Sequence, residues 1–212
     1  GGAWESKNKN LSRLFISALA CSANNMILAG TIDQGIFRSL NNGGDWEAVN
    51  NGLTQSQINT LSANAGGIFA GTPKGIFHST DNGASWQAGG LANRAVYNLL
   101  ATNSDLWAAT DQGVFHTTLT SSIQWQSVGS LSQTVFALAY DSAGRLYAGT
   151  STAKVWRYEN NNWLSFSIGL QPAKILTLAN TQNNLDMLFA GTEDGIWFNQ
   201  IQAQVAPTPT FT

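Results

Sequence analysis

The sequence predicts an all-β protein, a five-bladed β-propeller, from a repeat of roughly 40 residues. An Ala-Gly-Thr-like segment recurs five times, with its threonines 41, 38, 40 and 42 residues apart. A tryptophan follows four of these threonines after 13 to 15 residues. Units of this length that hold four short strands are typical of propeller blades. The threonines are Thr31, Thr72, Thr110, Thr150 and Thr192, and the tryptophans are Trp46, Trp86, Trp125 and Trp163.

The strands of one blade can be traced through the second repeat. Residues 58–63 and 67–72 are apolar or β-branched runs, and a turn rich in Asn and Gly separates them. Pro73-Lys74-Gly75 then leads into Ile76–Ser79, and Trp86 follows. Gly, Asn and Pro between the apolar runs predict tight hairpins, and no segment shows the hydrophobic period of a helix. Each repeat is therefore expected to form one antiparallel sheet.

One repeat unit is expected to be divided between the two ends of the chain. The fifth Ala-Gly-Thr has no tryptophan after it, whereas Trp4 has no Ala-Gly-Thr before it. The sequence therefore predicts that Trp4-Glu5-Ser6 forms the outer strand of the last blade and closes the ring, which removes an exposed sheet edge. The propeller is expected over residues 1–202, and the Pro/Thr-rich residues 203–212 are expected to form a linker or tail.

Composition narrows the classes of partner. Hydrophobic residues make up 43% of the 212 residues, charged residues only 10%, and the net charge is −2. Such a balance offers no electrostatic basis for binding nucleic acid, and no apolar run approaches the roughly 18 residues of a membrane span. Cys21 is the single cysteine, which excludes an internal disulfide, and we expect it to be buried and unreactive. The tail and the low charge favour a secreted or cell-surface protein, as a monomeric domain of a larger assembly.

A turn motif points to a family. Residues 79–86 read Ser-Thr-Asp-Asn-Gly-Ala-Ser-Trp, which resembles the Asp-box, or BNR repeat, and residues 39–46 are similar with Asn in place of Asp. With the period, the chain resembles the Asp-box propellers, which include sialidases, sortilin-type receptors and photosystem-assembly factors. In that family these motifs lie on turns away from the functional face. The resemblance therefore implies a structural role for Ser79, Asp81, Gly83 and Trp86, and for Asn41, Gly43 and Trp46.

Catalysis is not expected from these residues. The resemblance to sialidases would require three clustered arginines, but of the five arginines only Arg13 and Arg94 enter inner strands from the expected binding face. A glycosidase would need two carboxyl groups about 5–9.5 Å apart. Acids do recur two residues before hairpin glycines, as at Asp33, Asp111 and Glu193, where tight-turn chemistry accounts for them. A glycosidase-like enzyme therefore ranks third among the functions considered.

No metal or cofactor is expected either. His78 and His116 occupy equivalent positions on separate blades. Because packed sheets stand about 10 Å apart, these histidines cannot share one metal ion at about 2.1 Å.

The expected function is a non-catalytic binding module. The hairpins between the middle strands and the loops that enter the inner strands should gather on one polar face. A protein partner is the leading ligand class, and a glycan, bound in a lectin-like manner, is the alternative. The candidate residues of this binding face are Arg13, Asp33, Asn59, Lys74, Arg94, Tyr97, Asp111, Phe136, Lys174 and Asp194.

Overall fold

The computed structural model describes residues 2–11, 14–22, 25–64, 66–120, 122–181 and 186–201. All regular structure in these ranges is β-strand apart from turns, so the predicted all-β class is confirmed. The strands are β1 (Ile16–Cys21), β2 (Ile27–Thr31), β3 (Ile36–Ser39), β4 (Glu47–Ala48), β5 (Thr60–Asn64), β6 (Gly67–Thr72), β7 (Gly75–Ser79), β8 (Gln87–Gly90), β9 (Val96–Ala101), β10 (Asp105–Thr110), β11 (Gly113–Thr118), β12 (Gln126–Ser127), β13 (Val135–Tyr140), β14 (Leu146–Thr150), β15 (Val155–Glu159), β16 (Asn162–Ser165), β17 (Ile175–Asn180), β18 (Met187–Thr192) and β19 (Gly195–Gln200).

The strands form five separate sheets, and each sheet is one repeat. Four sheets have four strands in chain order: β1 to β4, β5 to β8, β9 to β12, and β13 to β16. The fifth sheet has three strands within the described residues, β17 to β19. The chain divides into two compact units, residues 1–136 and 137–212, and the boundary falls within β13.

The threonine of each Ala-Gly-Thr segment closes the hairpin that follows it. The Thr72 hydroxyl donates a hydrogen bond to the Gly75 carbonyl at 2.8 Å and accepts one from the Lys74 amide at 3.1 Å. A side chain that supplies both bonds fixes a tight turn without further contacts. The hydroxyl-to-carbonyl bond recurs from Thr31 to Gly35, Thr110 to Gly113, Thr150 to Lys154 and Thr192 to Gly195, at 2.9 to 3.0 Å.

The glycine of the segment is the contact point between neighbouring sheets. A Cβ atom on Gly30 would lie 2.6 Å from the Ile58 side chain, and one on Gly71 would lie 2.8 Å from Val96. Within the second unit, Gly149 meets Ile175 in the same way. In these three pairs, an apolar residue at or just before the start of an inner strand packs onto the glycine of the preceding sheet. Ile58, Val96, Val135 and Ile175, which occupy this position, are all completely buried.

The first strand departs from this pattern, and one prediction fails there. Ile16, at the position equivalent to Ile58, is 42% exposed, and Cys21, which was predicted to be buried, is exposed. Ala18 and Ala20 face the core of the first unit, so the alternate residues of β1 point away from it. In the second sheet the equivalent position packs on Gly30 of the first sheet, whereas Ile16 and Leu19 of β1 are exposed.

The Asp-box-like turns are closed by their own side chains. The Ser79 hydroxyl donates to Asp81 Oδ1 at 2.7 Å and accepts from the Gly83 amide at 2.9 Å, and the Ser85 amide donates to Asp81 at 2.9 Å. Gly83 has a φ of +81°, which suits glycine. The turn at residues 39–46 forms the same bonds with Asn41 as the acceptor.

The tryptophans that follow these turns tie each repeat to the preceding one. The Trp86 indole donates to the Val49 carbonyl at 2.8 Å, and the Trp125 indole donates to Gly89 at 2.7 Å. The Trp46 indole donates to the Lys7 carbonyl at 2.9 Å. Val49 and Gly89 each lie three residues after a repeat tryptophan, and Lys7 lies three residues after Trp4. The Lys7 carbonyl therefore accepts the Trp46 indole as the Val49 carbonyl accepts that of Trp86.

The closing strand itself is not formed. Residues 4–6 have no strand structure, and Trp4 is fully exposed. Ring closure by Trp4-Glu5-Ser6 therefore stays a prediction. The boundary at residue 202 and the tail at 203–212 lie outside the described residues.

Candidate binding site

The residues predicted for the binding face fall at the ends of β-hairpins. Asp33, Lys74 and Asp194 lie in exposed turns between the second and third strands of their sheets. Asp111 lies in the same place between β10 and β11 and is half-buried. Arg13 lies outside the described residues.

Arg94 is the most firmly positioned charged side chain of this set. It precedes β9, and its guanidinium lies 4.6 Å from the centroid of the Phe115 ring, in a cation–π arrangement. Nη1 donates a hydrogen bond to Oε1 of Gln112 in the adjacent hairpin. Because the two contacts fix the guanidinium before any ligand arrives, less side-chain entropy is lost on binding.

Asp111 lies beside Arg94 and has an unused acceptor. Its amide donates to the Ala95 carbonyl at 3.0 Å, and its carbonyl accepts from the Thr134 hydroxyl at 3.4 Å. The carboxylate oxygen Oδ1 is buried and has no hydrogen-bond partner among the described residues. A buried acceptor without a donor is unfavourable, so this oxygen favours a ligand that supplies one.

Two aromatic side chains of the predicted set contact each other. The rings of Tyr97 and Phe136 pack edge to face, with centroids 4.9 Å apart. Both are half-buried. They present apolar surface on the inner strands that begin at Val96 and Val135.

Asn59, which is also predicted for the binding face, forms hydrogen bonds within the protein. Its amide nitrogen donates to the Val96 carbonyl at 2.9 Å, and its oxygen accepts from Gln57 at 3.0 Å. The side chain thus ties the second sheet to the third. Ser17, at the equivalent position of β1, donates to the Ile58 carbonyl at 2.5 Å. This position links neighbouring repeats.

In the second unit, Lys174 forms an ion pair with Glu193, the residue before Asp194. Lys174 Nζ lies 3.0 Å from Glu193 Oε1, and both side chains are 50% exposed. Exposed pairs of this kind contribute about 0–1 kcal/mol, so the pair sets local charge more than stability. In the first unit, Arg94 and Asp111 lie in neighbouring loops and Tyr97 contacts Phe136, while Lys174 and Asp194 belong to the second unit.

A buried polar cluster in the second unit was not predicted as one. The Asp141 carboxylate is fully buried and accepts from the amides of Ala143 and Arg145, from Arg145 Nε at 2.5 Å and from the Tyr147 hydroxyl at 3.1 Å. Desolvation and the Asp141 charge raise the pKa of Tyr147 to about 12. Every contact serves the turn between β13 and β14, which indicates a structural role. The Asp-x-x-Gly-Arg pattern was the available signal.

The two histidines are held by structural partners. His78 stacks on Phe69 at 4.4 Å with Nε2 3.0 Å from the Gly66 carbonyl, and His116 Nε2 lies 2.7 Å from Asp105 Oδ1. Within the described ranges, no group of three His, Cys, Asp or Glu side chains could hold a metal ion. The same ranges contain no helix that is long and apolar enough to cross a bilayer.

Comparison with known proteins supports the fold. No family model matches the chain, and no curated protein matches it. Among solved structures, the extracellular domain of the hybrid two-component system BT3049 from B. thetaiotaomicron is similar, with a TM-score of 0.76 and 20% identity over 91% of this chain and 29% of that one. YCF48 from Cyanidioschyzon merolae has a TM-score of 0.70 and 14% identity over 90% of this chain and 68% of that one.

A structure of YCF48 bound to D1 peptide is also similar, with a TM-score of 0.65 and 18% identity over 91% of this chain and 66% of that one. These proteins are β-propellers, and at such low identity the likeness shows the fold alone. The chain spans less than a third of the sensor domains that it matches.

Proposed function

We propose that the chain is a non-catalytic binding module that docks a protein partner at the loop face around Arg94. The observation that carries this proposal is the guanidinium of Arg94, which Phe115 and Gln112 hold in place beside Asp111. Arg and Tyr are the residue types that dominate protein–protein hot spots. A fixed cation, an unpaired acceptor and an aromatic pair match a peptide's mixture of carbonyls, amides and apolar side chains.

Two similar structures support this function and its location. YCF48 binds a D1 peptide, and BT3049 is an extracellular sensor domain. We therefore propose a secreted or cell-surface location for this chain, in which the propeller tethers a partner as one domain of a larger assembly. A glycan is the second ligand class, because the half-buried Tyr97–Phe136 pair presents aromatic surface on which a sugar ring can stack.

We also propose that the repeats belong to the Asp-box class and that five blades close into a ring. The two side-chain-closed turns support the class. The Lys7 carbonyl, which accepts the Trp46 indole as Val49 accepts that of Trp86, supports an outer-strand role for residues 4–7.

The test compares three proteins as bait against cell-surface extracts, beside an array of glycans. The first is the wild type, the second is Arg94→Ala/Tyr97→Ala, and the third is Lys74→Ala, whose side chain is exposed on another hairpin. We expect one protein partner to be retained by the wild type and Lys74→Ala. The double variant should bind that partner at least about 30-fold more weakly, as loss of a hot spot of about 2 kcal/mol implies.

Two results would contradict the proposal. One is a partner that the double variant binds as tightly as the wild type does. The other is a glycan that binds the wild type and is lost in the double variant, which would make the face a lectin site.

A further inference from the structure

A cavity of about 690 Å³ lies in the first unit, at the end opposite to Arg94. Described residues from four places line it: Ser22 and Met26 beside the first sheet, Asn64 and Gly66 in the second, Thr102 and Asn103 in the third, and Thr80 and Asn82 in the Asp-box-like turn after β7. At this end Asn64 pairs with Gly67, whereas Thr72 pairs with Gly75 at the binding-face end.

Hydrogen bonds hold the walls of this cavity in place. The Asn64 amide nitrogen donates to the Thr102 carbonyl at 2.8 Å, which joins the turns of the second and third sheets. Arg38 Nη1 donates to the Asn82 carbonyl at 2.6 Å, which joins the first sheet to the Asp-box-like turn. The cavity is therefore preformed, as ligand sites usually are.

Three side chains at the rim retain their hydrogen-bonding capacity. Thr80, Asn82 and Asn103 line the cavity and are exposed, and their side chains form no hydrogen bond with any described residue. Amide and hydroxyl groups both donate and accept. The interior adds apolar surface from Met26 and Ile68, and no charged residue lines the cavity within the described ranges.

We propose that this cavity binds a neutral oligosaccharide, at a site separate from the Arg94 face. Sugar hydroxyls also donate and accept, so they match the amides and the hydroxyl at the rim, while sugar C–H groups can contact the apolar interior. The absence of charged lining disfavours acidic ligands. The described residues of the lining also include no Trp, Tyr or Arg, the residues that anchor protein partners, which disfavours a peptide. The site does not rest on the function proposed above.

Asn82 and Asn103 are the residues to change. Asn82 has a φ of 59°, so Asn82→Gly removes the amide and keeps a backbone conformation that glycine adopts readily. Asn103→Ala removes the second amide. The matched control is Asn42→Gly, since Asn42 holds the same turn position in the first repeat, with a φ of 56°, and does not line the cavity.

The experiment screens the whole chain on an array of neutral and acidic oligosaccharides and titrates the best neutral glycan by calorimetry and NMR. We expect Asn82→Gly/Asn103→Ala to weaken binding at least about tenfold, as the loss of two hydrogen bonds implies. Asn42→Gly and Arg94→Ala/Tyr97→Ala should bind like the wild type. Amide shifts should fall on residues 79–82 and 101–103.

Any of three results would overturn the proposal. The first is that no neutral glycan on the array is retained. The second is that the double asparagine variant binds like the wild type, or that Asn42→Gly weakens binding equally. The third is that a peptide library, rather than a glycan, competes for the cavity. If the protein-docking function proposed for the Arg94 face is wrong, that result appears in a different measurement, the binding of a protein partner by the Arg94→Ala/Tyr97→Ala variant.

Discussion

At the residue scale, two different side chains, Asp81 and Asn41, close equivalent turns with the same geometry. Asp81 accepts from the Ser85 hydroxyl at 2.5 Å, from the Ser85 amide and from Ser79, and these bonds, led by the Ser85 hydroxyl, lower its pKa to about 2. Asn41 accepts the same amide bond and donates from Nδ2 to Asp45 at 2.9 Å. The turn therefore tolerates either a charged or a neutral acceptor.

We expect Asp81→Asn to fold and to remove one source of acid sensitivity. Because the folded pKa lies below the unfolded value, near 3.9, the charged carboxylate stabilises the protein above about pH 4. This contribution is lost as the pH falls from about 4 towards 2. The difference between wild-type and variant urea midpoints should thus be constant at higher pH and shrink over that window. A difference that does not change with pH would contradict the role of the charge.

At the scale of the element, neighbouring sheets meet through a side chain on a glycine. Ile58 and Val96 are completely buried against Gly30 and Gly71, so one apolar side chain per repeat fills the space that a missing Cβ leaves. Interiors are packed closely enough that one methylene matters. In the third repeat the glycine position is Ala109, which is also fully buried.

We expect Ile58→Ala to cost about 2–5 kcal/mol in the free energy of unfolding, because it leaves a cavity between two sheets. Ile58→Val should cost about 0.5–1.5 kcal/mol, since valine fills this position in the third and fourth repeats. Chemical unfolding of both variants measures these values. Equal costs for the two variants would mean that contact with the glycine is not what stabilises the interface.

At the scale of the whole molecule, the prediction that the ring closes rests on Trp4. The structure leaves Trp4 fully exposed, although Lys7 already accepts the Trp46 indole and Leu11 is buried near Trp46. Deleting residues 1–10 would therefore destabilise the first repeat whether or not the ring closes. A substitution at Trp4 separates the two effects.

If residues 4–6 complete the fifth repeat, Trp4→Ala should cost about 3–5 kcal/mol, as for other buried tryptophans. Thermal and urea unfolding of the intact chain measure this cost, and Trp86→Ala, which removes a buried tryptophan, is the reference. An unchanged stability for Trp4→Ala would show that Trp4 stays exposed in solution, and the closing strand would then be wrong.

Prediction from sequence succeeded where neighbours along the chain decide the outcome. The hairpin at Thr72 and the turn at Asp81 close through bonds between residues two to four apart, so their spacing is visible in the sequence. Burial was harder to predict. Cys21 and Ile16 lie in a strand of ordinary apolar pattern, but their exposure depends on whether another sheet covers β1.

The sequence by itself determined the all-β class, the repeat of five sheets and the hairpin ends, because strand period and turn chemistry are local. Only the tertiary structure decided which polar groups are available. The Asn59 amide joins two sheets by donating to the Val96 carbonyl, 37 residues further along the chain. The Arg94 guanidinium donates to Gln112, 18 residues away. The tertiary structure also gathers Asn82 and Asn103 around one cavity. These outcomes depend on contacts between repeats, which no spacing within a single repeat encodes.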